Sequence, residues 1–177
     1  MRRILFTTFA AVALVFGGAA VASAQDTDVT VTVEQGALAI SVPTSSDLGT
    51  GTPGTTATGQ IGTVTVTDNR ALLTATWTAS VSSTAFTTGG ATGAETIPNT
   101  SVRYWSGPAT ATSGTGVFTP AQPLAANAVT LSAEQTAFTL TAGVGSNTAS
   151  WNPTLLIDLP AAAVGGLYTG TVTHTVL

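Results

Sequence analysis

The chain has 177 residues with 4 basic and 8 acidic side chains, a single histidine, no lysine and no cysteine. That length suits one ordinary domain, and a formal net charge of −4 leaves no basic patch for nucleic acid or for an anionic membrane surface. Because cysteine is absent, the domain has no disulfides and no thiolate metal ligands, so its stability must come from packing.

The N-terminus has the pattern of a secretory signal peptide. Two arginines precede an apolar stretch over residues 4–20, and an Ala-Ser-Ala tripeptide at residues 22–24 supplies the small residues of a cleavage site. We therefore predict a signal peptide at residues 1–24 and a single mature domain at residues 25–177. Export would carry this domain to the cell wall or the cell surface, with no membrane contact after cleavage.

Two-residue alternation predicts strands in the first part of the mature chain. Three valines alternate with threonines over residues 29–33, and a second apolar row follows at residues 38–42. Residues 44–60 are almost entirely Ser, Thr, Gly and Pro, a composition that indicates a long surface loop or linker.

The most regular pattern lies between residues 63 and 81. Val64 and Val66 alternate with threonines, and Asp68 and Asn69 then form a predicted turn. A second apolar row follows this turn, so the segment predicts a hairpin with one face in the core. The members of that row are Leu73, Ala75, Trp77, Ala79 and Val81.

Further short strands are predicted in the second half of the chain. No segment shows a helical period, and no internal repeat is present. The sequence therefore predicts an all-β fold, an antiparallel immunoglobulin-like β-sandwich with Greek-key connections, and leaves an up-and-down barrel as the alternative. The predicted strands are residues 101–105, 128–131, 137–142, 151–159 and 167–176.

The side chains needed for common catalytic and metal sites are scarce. His174 is the single histidine, and alternation places it on the apolar face of its strand, which favours a structural role. The carboxylates of Asp47, Glu95, Glu134 and Asp158 share no motif and are interpreted as scattered surface charges. We predict a protein that is not an enzyme and has no catalytic residue, metal site or cofactor.

Aromatic side chains are candidate ligand contacts, because tryptophan and tyrosine stack on sugars through their apolar faces. Trp77 and Trp151 belong to apolar rows, where core packing is the stronger interpretation. Trp105 lies on a more polar face, so ligand contact and packing are both open, and Arg103 beside it is either an anion ligand or a solvated charge. The candidate ligand-binding residues are Trp77, Arg103, Trp105, Trp151 and His174.

Three segments in this order resemble a known family. They are GTVTVTDNR at residues 62–70, TWTASV at residues 76–81 and PAAAVGGLYTGTVTHTV at residues 160–176. They resemble the WxL-domain surface proteins of Gram-positive bacteria, in the diverged actinobacterial form, and the resemblance extends over about residues 28–177. It implies non-covalent binding to peptidoglycan or another cell-wall glycan, often alongside companion surface proteins.

The resemblance also places the two tryptophan motifs of that family. The first falls on Trp77-Thr78-Ala79, with alanine in place of leucine, and the second falls on His174-Thr175-Val176, where tryptophan itself is replaced. We therefore expect a secreted, non-catalytic protein that binds the cell wall. The alternatives are a structural subunit of a surface fibre, in which residues 29–33 complete a neighbour's sheet, and an adhesin or carbohydrate-binding module that uses Trp105.

Overall fold

The computed structural model describes residues 25–177, and the predicted signal peptide lies outside these residues. The chain divides into two units between Thr32 and Val33. In the first unit, residues 25–32 form no strand and are exposed. The second unit, residues 33–177, contains all the strands described below.

Eleven strands and three single-turn 3-10 helices make up the second unit. The 3-10 helices are Gly93–Glu95, Asn99–Ser101 and Ala125–Asn127. The strands are β1 (Leu38–Ser41), β2 (Thr56–Gln60), β3 (Val64–Ser83), β4 (Phe86–Thr87), β5 (Thr96–Ile97), β6 (Val102–Trp105), β7 (Ala109–Pro120), β8 (Val129–Thr130), β9 (Gln135–Trp151), β10 (Thr154–Asp158) and β11 (Val172–Val176).

Two antiparallel sheets form the sandwich, which confirms the predicted fold class. One sheet has the order β1-β3-β9-β7, and β11 pairs with β3 beyond the end of β1. The other has the order β2-β10-β6-β8, and β4 and β5 form a separate two-stranded ribbon. Along the chain, each strand of one large sheet is followed by a strand of the other large sheet. No two consecutive strands are therefore neighbours within either large sheet.

The core lies between the two sheets and is built from the inward side of the alternation. In β6 and β10 the inward residues are Val102, Tyr104, Leu155 and Ile157, all at most 5% exposed. The long strands of the opposite sheet add aliphatic and aromatic side chains, including a Phe138 ring that stacks on Trp151 at a centroid distance of 4.9 Å. These are Val64, Val66, Ala75, Trp77, Ala79, Val81, Ala137, Phe138, Leu140, Ala149 and Trp151.

The predicted turn at Asp68 and Asn69 is wrong, because both residues lie inside the 20-residue strand β3. The two halves of this strand both pair with β9, and the register shifts between Asp68 and Leu72. Ala71 has a φ of 53° at this point. The polar residues therefore mark a bulge in one strand instead of a reversal between two, and Leu73 is left 82% exposed.

A buried polar network occupies the same bulge. Arg70 donates from Nε to Asp68 Oδ1 at 2.9 Å and from Nη2 to Asp68 Oδ2 at 2.9 Å. Asn147 joins them, because its Nδ2 donates to Asp68 and its Oδ1 accepts the indole N–H of Trp77 at 2.8 Å. The hydrogen bond from Arg70 holds the pKa of the fully buried Asp68 carboxyl below its ordinary value.

The predicted loop at residues 44–60 ends earlier than expected, because β2 occupies Thr56–Gln60 as an edge strand. β7 is a twelve-residue strand that the sequence did not predict, since its Ala, Thr, Ser and Gly residues carry no apolar row. Both strands lie at sheet edges, where burial imposes little pattern on the side chains.

Several other predicted strands differ at their bounds, two of them substantially, the predicted strand 137–142 is extended to β9, and one predicted strand is missing. The predicted strand 151–159 is divided between the end of β9 and β10 by Pro153, which has no backbone N–H. The predicted strand 167–176 begins only at Val172. Residues 29–33 form no strand, and Val29, Val31 and Val33 are 88%, 89% and 77% exposed.

Candidate functional site

The outer face of the four-stranded sheet β2-β10-β6-β8 carries the Trp105 indole together with several polar side chains. In β6, Val102 and Tyr104 point into the core, so Arg103 and Trp105 point outward. Register then brings residues of β10 and β2 beside them. Leu156 and Thr58 are level with Arg103, Thr154 and Gln60 are level with Trp105, and Asp158 and Thr56 form the next row.

Arg103 and Asp158 form a two-point ion pair on this face. Arg103 Nε donates to Asp158 Oδ2 at 3.1 Å, and Nη2 donates to Oδ1 at 2.8 Å. Thr56 adds a third hydrogen bond, from Oγ1 to Asp158 Oδ1 at 2.6 Å. These bonds, that of Arg103 first, hold the pKa of the Asp158 carboxyl below its ordinary value.

The ion pair remains open to solvent, because the side chains of Arg103 and Asp158 are 37% and 46% exposed. A guanidinium carries five N–H groups and the pair uses two of them, while a carboxylate can accept more than the three bonds present. The pair thus presents neighbouring donors and acceptors. Because its charges compensate each other, it suits a neutral hydroxyl-bearing ligand better than the carboxylate or phosphate that Arg103 alone would bind.

Trp105 places a partly exposed indole at one end of the same face. Its ring edge lies beside Gly107, where φ is 72° and where a β-carbon would come within 3.6 Å of Cζ3. Glycine adopts this φ without steric cost, and Gly107, which is buried, packs against this edge of the ring. The face as a whole combines an aromatic ring, an aliphatic side chain at Leu156 and a row of polar groups.

The other three candidate residues lie in the core. Trp77 is 2% exposed, Trp151 is fully buried and His174 is 9% exposed. The Trp151 indole N–H donates to the Tyr104 hydroxyl at 3.1 Å, and His174 Nε2 lies 3.3 Å from the same oxygen. These side chains pack the sandwich and have almost no surface to offer a ligand, which agrees with the structural interpretation of their patterns.

Burial shifts the pKa values of His174 and Tyr104 in this internal cluster. It lowers the pKa of His174 to about 4 and raises the pKa of Tyr104 above its ordinary value. His174 is therefore neutral at pH 7. Within residues 25–177 its hydrogen-bond partner is Tyr104, and these residues hold no group of three His, Asp or Glu side chains placed to bind a metal ion.

A groove lies away from this face, between the loops at residues 46–53 and 163–170. Its volume is about 620 Å³, and apolar side chains including Phe86, Ile97 and Ile157 line it. Tyr168 fixes one wall, because its hydroxyl lies 3.0 Å from the carbonyl oxygens of Ala94 and Val164. Neither Arg70 nor Arg103 lines this groove, so it offers apolar contact without a cation.

Sequence reasoning found two members of the outer face and missed the others. Trp105 and Arg103 were singled out by their strand face, but Asp158 was interpreted as a scattered surface charge. Its pairing with Arg103 spans 55 positions of sequence. The available signal was the alternation of residues 154–158, which places Asp158 on the outward side of its strand.

Comparison with protein-family models, with curated proteins and with solved structures returned no match to this chain. In the described part of the chain, no helix is long and apolar enough to cross a membrane.

Proposed function

We propose that this chain is a secreted, non-catalytic surface protein that binds a cell-wall glycan non-covalently through the outer face of the four-stranded sheet. The observation that carries the proposal is the alignment of the Trp105 indole with the solvent-accessible Arg103–Asp158 pair on one face. An indole offers an apolar surface to a sugar ring, and paired donors and acceptors bind its hydroxyl groups.

Peptidoglycan is the ligand that the resemblance to WxL-domain proteins implies, and companion surface proteins are the implied partners. The two family motifs lie at Trp77 and His174, and both of these side chains are buried. In this proposal they support the sandwich, and the ligand contacts Trp105 and its neighbours. The low charge of the face fits a neutral glycan better than a polyanion.

The test is retention of residues 25–177 by purified peptidoglycan sacculi, compared with the variants Trp105→Ala and Leu73→Ala. Removal of an indole that contacts the ligand should weaken binding about 10-fold to 30-fold, or about 1.4–2 kcal/mol. Leu73→Ala is the matched control, because it removes an 82% exposed apolar side chain from the opposite sheet.

The outcomes separate the parts of the proposal. Retention of both the parent chain and Leu73→Ala, with loss for Trp105→Ala, supports the site. Equal retention of all three proteins places the contact elsewhere on the surface, and failure of the parent chain to bind sacculi contradicts the ligand. Circular dichroism of each variant checks that the fold is retained.

A further inference from the structure

The longest sheet edge of the molecule has no partner. β7 pairs with β9 along one side, and its other side pairs with no strand within residues 25–177. The remaining edge strands are shorter, with two to five residues each in β1, β2, β8 and β11. An edge of this length exposes a row of backbone N–H and C=O groups that can pair with another strand.

β7 also lacks the features that usually protect an edge. Its sequence ATATSGTGVFTP contains no charged residue, and all of its residues from 109 to 117 are exposed. Three register shifts divide it, one between Ala109 and Ala111 and two at Gly114 and Gly116, and they leave a regular run at residues 111–113 that is level with residues 148–150 of β9. Edges are normally blocked by lysine, by inward-pointing charge, by proline or by bulges, and residues 111–113, between the register shifts and far from Pro120, have none of these.

A segment with the pattern of a strand, but with no pairing partner within residues 25–177, lies near the start of the described chain. Residues 29–33 alternate valine and threonine, the side-chain pattern that favours β structure most strongly, yet they form no strand. Val29, Val31 and Val33 are all more than 75% exposed, on what would be one face of a strand. Exposed alternating valines gain burial only if this segment pairs with a sheet.

We infer that the segment at residues 27–33 of one copy adds as a strand to the free edge of β7 in a second copy, along residues 109–113. The added strand supplies partners for the unpaired backbone groups of β7 and places the three valines beside the side chains of residues 109–113 on one face of the extended sheet. The contact is heterologous, because donor and acceptor are different surfaces, so each copy can act as donor and acceptor and a filament can grow.

The carboxylates of the donor fit this acceptor. Asp26, Asp28 and Glu34 flank the valines, and β7 carries no negative charge to repel them. This self-association uses a different sheet from the proposed glycan site and does not depend on glycan binding.

Site-directed crosslinking tests which edge strand receives the donor segment. Because the chain has no native cysteine, a disulfide can form only between the introduced cysteines. The donor is residues 25–177 with Val31→Cys. The acceptor is residues 34–177 with Thr112→Cys, which keeps every strand and the whole core but lacks the donor segment. The control acceptor carries Thr58→Cys instead, on the exposed edge strand β2 of the other sheet.

We expect the heterodimer with Thr112→Cys to form at least about 10-fold faster under mild oxidation than the one with Thr58→Cys. Equal rates, or faster crosslinking to Thr58→Cys, would overturn the assignment to β7. The different lengths of donor and acceptor distinguish the heterodimer from donor homodimers on a non-reducing gel.

A peptide-binding measurement tests strand pairing without any substitution in the domain. A labelled peptide of residues 26–34 should bind to residues 34–177 with a saturable change in fluorescence anisotropy. The same peptide with Thr30→Pro and Thr32→Pro loses two backbone N–H groups and should bind at least about 10-fold more weakly. No binding of the parent peptide at millimolar domain concentration, or equal binding of both peptides, contradicts strand addition.

Discussion

Tyr104 connects two side chains that the sequence linked to ligand binding. Its hydroxyl accepts the indole N–H of Trp151, and since that donor cannot act as an acceptor, the phenolic proton is left for His174 Nε2. The three side chains come from strands of both sheets, so their hydrogen bonds cross the core. Burial, which lowers the pKa of His174, makes a neutral imidazole that accepts this proton the favoured state.

This arrangement predicts an acid-dependent loss of stability. The pKa of His174 is about 4 in the folded protein, whereas an unfolded imidazole titrates near 6.5. Between these values the unfolded chain binds a proton that the folded chain excludes, so the contribution is complete above pH 6.5 and is lost as pH falls toward 4. The free energy of unfolding should fall by about 3 kcal/mol over this range.

Urea unfolding of the parent chain and of His174→Phe at intervals from pH 7.5 to pH 4 checks this prediction. The variant keeps a ring but cannot titrate, so its stability should stay nearly constant through the window. Asp68 and Asp158 do not obscure the result, because their pKa values are lowered and their contributions are lost below about pH 4. A parallel decline in the two proteins would assign the effect to other groups.

At the scale of a strand, β3 contains a bulge that the alternation of its side chains did not predict. Its inward row runs through Val64 and Val66, and resumes on the far side at Ala75 and Trp77. Between them Ala71 takes a left-handed φ, which costs a residue with a side chain about 1–2 kcal/mol. The strain is maintained because both flanking halves are paired with β9.

Ala71→Gly should therefore raise the stability. Glycine adopts this φ without steric cost but adds about 0.5–1 kcal/mol of unfolded-state entropy, so the net gain in the free energy of unfolding should be about 0.5–1 kcal/mol. Ala75→Gly is the comparison in the same strand, where φ is ordinary and the methyl group is buried. It should lower stability by about 1 kcal/mol or more, and guanidinium unfolding of both variants decides the sign.

Strands with one buried face were predictable, and strands without one were not. Val64, Val66 and the row from Ala75 to Val81 alternate because the core faces them. β7 has no such row and was missed, while residues 29–33 have the pattern but no partner within residues 25–177 and form no strand. Alternation of apolar and polar side chains therefore indicates that a segment can cover a core. Whether the segment forms a strand depends on a pairing partner.

At the scale of the whole molecule, stability resides in residues 38–176. Of residues 25–177, every strand and every buried apolar side chain lies within these bounds, whereas residues 25–33 are exposed. Removal of residues 25–33 should leave the free energy of unfolding of the monomer unchanged within about 0.5 kcal/mol. Urea unfolding at low protein concentration tests this expectation, and a larger loss would show that the segment packs on its own domain.

The members of the candidate site could be identified in full only from the whole fold. Alternation in β6 was enough to place Trp105 and Arg103 on one outward face. Nothing in the sequence aligned that strand with β10, since the two are not consecutive and are joined through β7, β8 and β9. The assignment of Asp158 and Thr56 to the same face follows from strand register, which local pattern does not determine.

The passage of the chain from one sheet to the other has a consequence for the order of folding. β3 pairs first with the four-residue β1, and its main partner β9 begins only at Gln135. A nascent chain that ends before this point holds an unpaired apolar row and no closed core. Native structure therefore forms late and almost all at once, in the slow regime of folds with distant contacts, and most of the polypeptide must be delivered before any of it is stable.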